Sequence, residues 1–393
     1  MACRYFGNEA LRSSCGRGKR SHRGVPVSNR SYVVAGTSAP SRSWENRYFQ
    51  PSPTLAHAAF GDCTSDMSEA VHSLFRQPQP GAASTVSGDF PLDENVISCL
   101  PQDTKVLSAD RYGSSAWTVT ARIITELADG TPKKYFLKCA TEDAGRAMME
   151  GEYWAMTELF KTIPTAIPRP IARGKFQIER PPTFFFLCDF VDMSNQVPDP
   201  DKLCALIIDL HRNSVSPTGK FGFHVRTCNG RTPQAVEWES SWTTCFKNMM
   251  IDVIAKDFNT NGPWPELERV GTTIASRIIP RLIGAVESDG RSVKPCLIHA
   301  DLWEGNTGTS LETGDIILFD AGSYYAHNEM EIGDWRCPYN KVNSKIYTKT
   351  YLRHYGSSEP TEEWDDRNRM YSVYFDIIYS VNHMLQGRSV REL

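Results

Sequence analysis

The sequence predicts an α+β fold of two lobes, a small lobe built on an antiparallel sheet followed by a larger helical lobe. Three observations predict it. The stretch "WTVTARIITELADGTPKKYFLKCA", Trp117–Ala140, alternates apolar and polar residues on either side of a turn dipeptide. A long helical pattern follows and stops at Pro164, Pro168 and Pro170. Beyond residue 193 helical stripes dominate, interrupted only by the short apolar runs "CLIH" and "DIILFD".

The chain starts with a segment of different character. Residues 1–92 are rich in Ser, Gly, Pro and Arg and show no sustained helical period, so they are expected to be a disordered tail. Residues 1–50 carry nine Lys/Arg against two Asp/Glu, about +7, which leaves about −10 elsewhere, since the whole chain stands at −3. That basic, Ser-rich start also resembles a mitochondrial presequence, so a mitochondrial location is an alternative to the cytoplasmic one expected here. The overall charge argues against nucleic acid as a partner. The longest apolar run, "FFFLCDFV", is far short of the roughly 18 residues that suggest a membrane span. Eleven cysteines at irregular spacings, with no CxxC, are expected to be reduced thiols.

The small lobe is expected over residues 93–188. In the hairpin, Val119, Ala121 and Ile123 alternate on the first arm, Asp129-Gly130 supplies the turn, and Tyr135–Leu137 lie on the second. In the following helix Thr141 is the expected N-cap, with Glu142 and Asp143 at the positive end of the dipole. Met149, Tyr153, Met156 and Phe160 form its apolar stripe. "PTFFFLCDFVDM" reads as a buried strand running into a connector at 189–193. The helical lobe, 194–393, opens with the stripe Leu203, Leu206, Ile207 and Leu210. Further stripes cover about 236–258, 265–288, 341–355 and 361–386.

The chemistry concentrates in "LIHADLWEGN". If "CLI" is a buried strand, His299 and Asp301 emerge where the backbone turns, and Asn306 follows within one loop. A second apolar strand, "IILF", then ends in Asp320. Two strands delivering oxygen ligands to one rim suit a hard cation such as Mg²⁺, bound by one or two protein oxygens plus nucleotide phosphates. Asp301 and Asn306 have the five-residue separation of base and metal-binding asparagine in the protein-kinase catalytic loop. On this reading Asp301 is the base, and Asn306 and Asp320 bind metal. Upstream, Lys138 ends the second hairpin arm, where a lysine can pair with nucleotide phosphates if a glutamate of the next helix orients it. Glu152 falls within the arc of Met148, Met156 and Leu159, whereas Glu150 lies toward Arg146, Thr157 and Lys161. An acid on an apolar arc is costly unless paired, so Glu152 is the expected partner.

"HADLWEGN" followed by "LFDAGSYYAHNEMEIGDW" resembles the fructosamine kinase (ketosamine-3-kinase) family, whose members show HGDLWxGN and then FDPAxxYGHxExEL. Further matches are "MMEGEYWAM", "KFGFHVRTCNGRTPQAVEWESSW" and Asn382-His383, so the resemblance spans about Asp110 to Gly387. It implies a two-lobed, protein-kinase-like fold of the aminoglycoside phosphotransferase type. It also implies ATP- and Mg²⁺-dependent phosphorylation at O3 of a fructosamine or ribulosamine, on small amines or protein lysines, by a monomer or weak dimer. Matched by position, Lys138 holds the nucleotide phosphates and Gly113 and Ser114 belong to the loop above them. Asp189, Phe190 and Val191 meet adenine through their backbone. Trp303 offers a flat wall to the ketosamine, and His327 and Glu329 shape the same pocket. Ala300 stands where the family has glycine, and Ala321-Gly322 where Pro-Ala is usual. The alternatives are a kinase of the same fold acting on an aminoglycoside, choline or homoserine, and a non-catalytic nucleotide-binding scaffold.

Overall fold

The computed structural model describes residues 86–113 and 115–383. In chain order, a short helix α1 (Glu94–Ile97) precedes strands β1 (Lys105–Arg111), β2 (Val119–Glu126) and β3 (Pro132–Thr141). Helix α2 (Glu142–Thr162) follows, then β4 (Pro170–Lys175) and β5 (Thr183–Asp189). These five strands form one antiparallel sheet in the order β1-β2-β3-β5-β4. The turn between β2 and β3 contains Gly130 at φ 84, a value that glycine adopts without strain.

The sheet has two distinct faces because side chains alternate along a strand. Tyr135, Leu137 and Cys139 of β3 join Ala121, Ile123 and Leu187 in a core that also takes Phe90, Val96 and Leu100. Phe136, Lys138 and Ala140 therefore point the other way, toward α2 and the helical lobe. Phe90 is buried and Ser87 bridges to Ser108, so the expected tail boundary at 92 moves N-terminally. The apolar face of that N-terminal segment is what covers the outer side of the sheet. The rest of the expected tail, with its presequence-like start, lies outside the described residues.

Thr141 occupies the N-cap position of α2, but its side chain makes no capping bond. It is still paired with Thr183 as the last residue of β3, and the chain turns sharply at Glu142, φ 63. The expected cap is corrected accordingly.

The connector leads through β6 (Met193–Ser194) to α3 (Pro200–Asn213), where Asp199 caps the amides of Asp201 and Lys202. A two-residue hairpin, β7 (Cys228–Asn229) and β8 (Thr232–Pro233), then precedes α4 (Trp242–Asn261). Helix α5 (Pro265–Thr273) continues through a π turn, Ile274–Ile278, into α6 (Ile279–Leu282). Strands β9 (Cys296–Ile298), β10 (Thr307–Ser310), β11 (Ile316–Leu318) and β12 (Tyr324–Ala326) carry the loops of interest. β12 pairs with β9, and β10 lies between β11 and β6. Helices α7 (Asn328–Asp334), α8 (Lys345–Tyr355) and α9 (Trp364–Asn382) complete the lobe. Its core is aromatic, with Trp242, Phe246, Trp335, Tyr371, Tyr374 and Phe375 all buried. Among the described residues no helix is long and apolar enough to cross a membrane. The eight described cysteines are all unpaired.

Candidate active site

β3 and α2 bring Lys138 and Glu152 together. Lys138 Nζ donates to Glu152 Oε2 at 2.7 Å and to Asp320 Oδ1 at 3.0 Å. Glu150 instead pairs with Arg173 on a more exposed face, at 2.8 Å. The side chain of Lys138 is 8% exposed. Burial by itself would strip the ammonium of its proton, but the charges of Asp320 and Glu152 outweigh it and raise the Lys138 pKa. Burial pushes the Glu152 carboxyl up, with Lys138 pulling against it. Burial acts on Asp320 in the same sense, yet the ammonium of Lys138 holds it below the usual carboxylate range.

The loop after β9 delivers Asp301. Its Oδ2 accepts from Asn306 Nδ2 at 2.8 Å, and its Oδ1 accepts from Asn229 Nδ2 at 3.0 Å. The Asn306 amide also donates to the Asp301 carbonyl at 2.9 Å. Both hydrogens of that amide are thus committed, which leaves its Oδ1 as the group to offer a cation. Burial raises the Asp301 pKa to about 7, and the nearby charge of Asp320 adds to the effect, against the hydrogen bonds from Asn306 and Asn229. A carboxyl poised there is suited to exchange a proton near neutrality.

Four contacts fix this loop against Asp320 and the core. The Asn306 carbonyl accepts from Phe319 N at 3.1 Å, and His299 Nε2 lies 3.1 Å from the Phe319 carbonyl. Glu331, on α7, accepts from the backbone amides of His299 at 2.5 Å and of Ala300 at 3.1 Å. His299 is therefore a packed tie between loops, with its charged form disfavoured by burial. Ala300 sits at φ 66, the left-handed region that favours glycine. The family glycine has a reason at this position, and alanine here carries backbone strain.

Between the sheet and the helical lobe lies a cleft lined by Tyr112, Ser115, Thr120 and Phe136 from the sheet side. Lys138, Glu152 and Asp320 also line it, as do Cys188 to Val191 of the connector. Two of the three hinge amides are engaged within the fold. Asp189 N donates to Arg169 O and Phe190 N to Lys134 O, whereas Val191 N meets no acceptor among the described residues. The Phe190 ring packs edge-on against Tyr112, with centroids 4.9 Å apart. Gly113 sits at φ 79 and is exposed. Ser114 lies outside the described residues.

Trp303 is half-buried and its ring folds over Gly305, where a Cβ would come within 2.3 Å of it. His327 and Glu329 do not line this cleft, and the expectation that they shape the substrate site is corrected. Both are fully buried. His327 bonds Tyr371 Oη and Ser358 Oγ, each at 2.8 Å. Glu329 meets Arg367 Nε at 2.8 Å and Ser358 N at 2.7 Å. This polar knot needs all its partners because an unpaired charge there would be prohibitive. Of the "HNEME" run, only Glu331 reaches the catalytic loop.

Sequence reasoning assigned no role to Asn229 or Glu331. Asn229 lies within the "RTCNGRTPQ" segment and Glu331 is the second acid of HxExE, so both stood in recognised motifs. Asn229 is itself held from α9: its carbonyl accepts from Asn382 Nδ2 at 3.0 Å, and Asn382 Oδ1 accepts from Thr232 Oγ1 at 2.7 Å.

The family model described as fructosamine kinase matches residues 116–387, most of the chain. The chain belongs to the fructosamine kinase family. A chloroplastic protein-ribulosamine 3-kinase of Arabidopsis thaliana is 25% identical over 243 residues, 61% of this chain and 68% of that protein. Its counterpart in Oryza sativa subsp. indica is 27% identical over 195 residues, 48% of this chain and 52% of that protein. The chain thus spans about half the length of the rice relative. Mouse ketosamine-3-kinase is 27% identical over 229 residues, 51% of this chain and 68% of that protein. Among solved structures, a protein described as a fructosamine-3-kinase from Haemophilus somnus superposes with a TM-score of 0.55 at 18% identity, covering 71% of this chain and 85% of its own. One from Thermobifida fusca gives 0.55 at 17%, covering 73% and 91%. These likenesses establish the kinase-like α+β fold expected from the sequence.

Proposed function

We propose that this family member transfers the γ-phosphoryl group of ATP to the 3-hydroxyl of a ketosamine, a ribulosamine or fructosamine borne on an amine or a protein lysine. The names of its relatives support the acceptor class. One observation carries the reaction type: a half-buried carboxylate, Asp301, is fixed on both oxygens, and a lysine is clamped by Glu152 and Asp320.

In this reading the O3–Pγ bond forms, the bond from Pγ to the β,γ-bridging oxygen breaks, and the O3 proton passes to Asp301. Asn229 and Asn306 aim the Asp301 carboxylate, so little reorganisation is needed at the moment of transfer. Lys138 neutralises nucleotide phosphates, and Glu152 keeps it charged and in place. Val191 N offers adenine a donor. The donor set fits Mg²⁺, since Asn306 Oδ1 and the Asp320 carboxylate are hard oxygens. Among the described residues no cluster of three or more His, Cys, Asp or Glu is arranged for a metal, but Mg²⁺ bound with nucleotide phosphates needs only one or two protein ligands. Bound there, the ion would neutralise phosphate charge. A deglycation role follows from this activity, because phosphorylation at O3 prepares the sugar for elimination.

The test is incubation with ATP, Mg²⁺ and the ribulosamine and fructosamine of lysine, followed by ³¹P NMR. A new sugar-phosphate resonance with stoichiometric ADP is expected. Turnover of choline or an aminoglycoside, with no product from either ketosamine, would overturn the assignment.

A further inference from the structure

The β7–β8 hairpin and its flanks touch both halves of the reactive centre. On one side, Asn229 Nδ2 donates to Asp301 Oδ1 at 3.0 Å and to the Ala300 carbonyl at 3.2 Å. On the other, the residues on either side of the hairpin reach the turn that follows Asp320. Thr227 Oγ1 donates to the Gly322 carbonyl at 3.0 Å, and Gln234 Nε2 donates to the same oxygen at 2.9 Å. Thr227 and Gln234 are also tied to each other, since Gln234 N donates to the Thr227 carbonyl at 2.8 Å. Gln234 is backed by α9, whose Tyr374 Oη donates to its Oε1 at 3.1 Å. Thr227, Asn229 and Gln234 are all buried.

These bonds fall where the backbone needs holding. Asp320 sits at φ 59 and Ala300 at φ 66, both in the left-handed region. Residues other than glycine persist there only when their surroundings over-determine the turn. A carbonyl oxygen has two lone pairs, and Thr227 and Gln234 fill both of those on Gly322. The Gly322 amide donates to the His299 carbonyl at 3.1 Å, so the turn after Asp320 is pinned at its N–H as well as its C=O. The packing leaves no slack, because a Cβ on Gly322 would come within 2.4 Å of the Cys228 carbonyl oxygen. That close approach requires glycine at a position where the family usually has the alanine of Pro-Ala.

We infer that Thr227 and Gln234 are positioning residues for Asp320, and that the hairpin thereby fixes the metal-binding carboxylate relative to the base Asp301. The inference rests on the proposed kinase reading, in which Asp320 is a cation ligand, and adds the residues that aim it. The work of the segment is divided. Asn229 holds the base directly, whereas Thr227 and Gln234 act on the cation ligand through the Gly322 carbonyl.

The experiment reads cation binding itself. Mn²⁺ is titrated into protein saturated with ADP, and free Mn²⁺ is followed by electron paramagnetic resonance for wild type, Thr227→Val, Thr227→Ser and Gln234→Met. Valine and methionine approximate the shapes they replace but cannot donate to the Gly322 carbonyl, whereas serine keeps the hydroxyl. Loss of one such hydrogen bond should weaken Mn²⁺ binding about tenfold in Thr227→Val and in Gln234→Met, with Thr227→Ser close to wild type. ADP affinity in EDTA, read by calorimetry, and KM for the ketosamine should change little. Thermal melts identify any variant that does not fold, and the two substitutions test the same oxygen independently. Unchanged Mn²⁺ affinity in either folded variant overturns the inference. An equal loss of ADP affinity in EDTA overturns it too, because the whole cleft has then moved. So does a Thr227→Ser as impaired as Thr227→Val, which would assign the effect to packing of the methyl group. If wild type with ADP binds no Mn²⁺, the kinase reading itself fails and this inference falls with it.

Discussion

Glu331→Gln tests how the catalytic loop is held. The carboxylate of Glu331 accepts from two adjacent backbone amides, His299 N and Ala300 N, and all three residues are fully buried. A glutamine keeps one acceptor oxygen and turns an NH₂ toward the second amide. One charge-assisted bond is lost and one buried N–H is left without an acceptor, at a cost of about 2–4 kcal/mol. Urea unfolding at neutral pH reads that loss. The left-handed turn at Ala300 sets where Asp301 points, so its displacement by about 1 Å should lower kcat on the order of 10²-fold. KM for ATP should move less, because Lys138 and the hinge lie on other elements. If Glu331→Gln unfolds within about 0.5 kcal/mol of wild type and retains full kcat, the carboxylate does not support the loop and the argument is wrong.

Three other outcomes are expected. Asp301→Asn should lose roughly 10²–10⁴-fold in turnover, the usual scale for a general base, and near-normal ADP release from it would mean the base lies elsewhere. His327 should make stability depend on pH. Burial, with the charge of Arg367, lowers its pKa to about 4 against the pull of Glu329, so below the unfolded value of 6.5 the unfolded chain binds the proton more readily. Its contribution, about 3 kcal/mol, is complete above pH 6.5 and lost as pH falls toward 4. Unfolding midpoints of His327→Gln should be flatter than wild type across that window, and parallel curves would refute the effect. Trp303→Ala should raise KM for ketosamine more than for ATP, whereas equal changes in both would reduce Trp303 to a cover for Gly305.

Much of the site was legible because it obeys local periods. Two-residue alternation on β3 separates Lys138 from Leu137 and Cys139, and the helical arc of α2 separates Glu152 from Glu150. The Asp301–Asn306 spacing needs only one loop. What stayed hidden depends on contacts between distant segments. Asn229 reaches Asp301 across 72 residues and Asn382 reaches Asn229 across 153, and no periodicity encodes either. His327 and Glu329 were misread for a related reason. A motif beside a catalytic loop serves a pocket or the wall behind it, and only the partners Tyr371, Ser358 and Arg367 reveal which. The strain at Ala300 was visible as a departure from glycine, but its sign required the backbone angle.

The bond from Asn382 to Asn229 has a consequence for when the protein becomes competent. A residue near the end of the described chain steadies the hairpin that aims the proton acceptor. During synthesis, every other member of the site emerges from the ribosome before that buttress does. A nascent chain halted ahead of α9 would already own its lysine, its acids and its nucleotide cleft, yet Asn229 would hang from a two-strand hairpin with nothing behind it. Maturation of the reactive centre is thereby tied to the docking of α9.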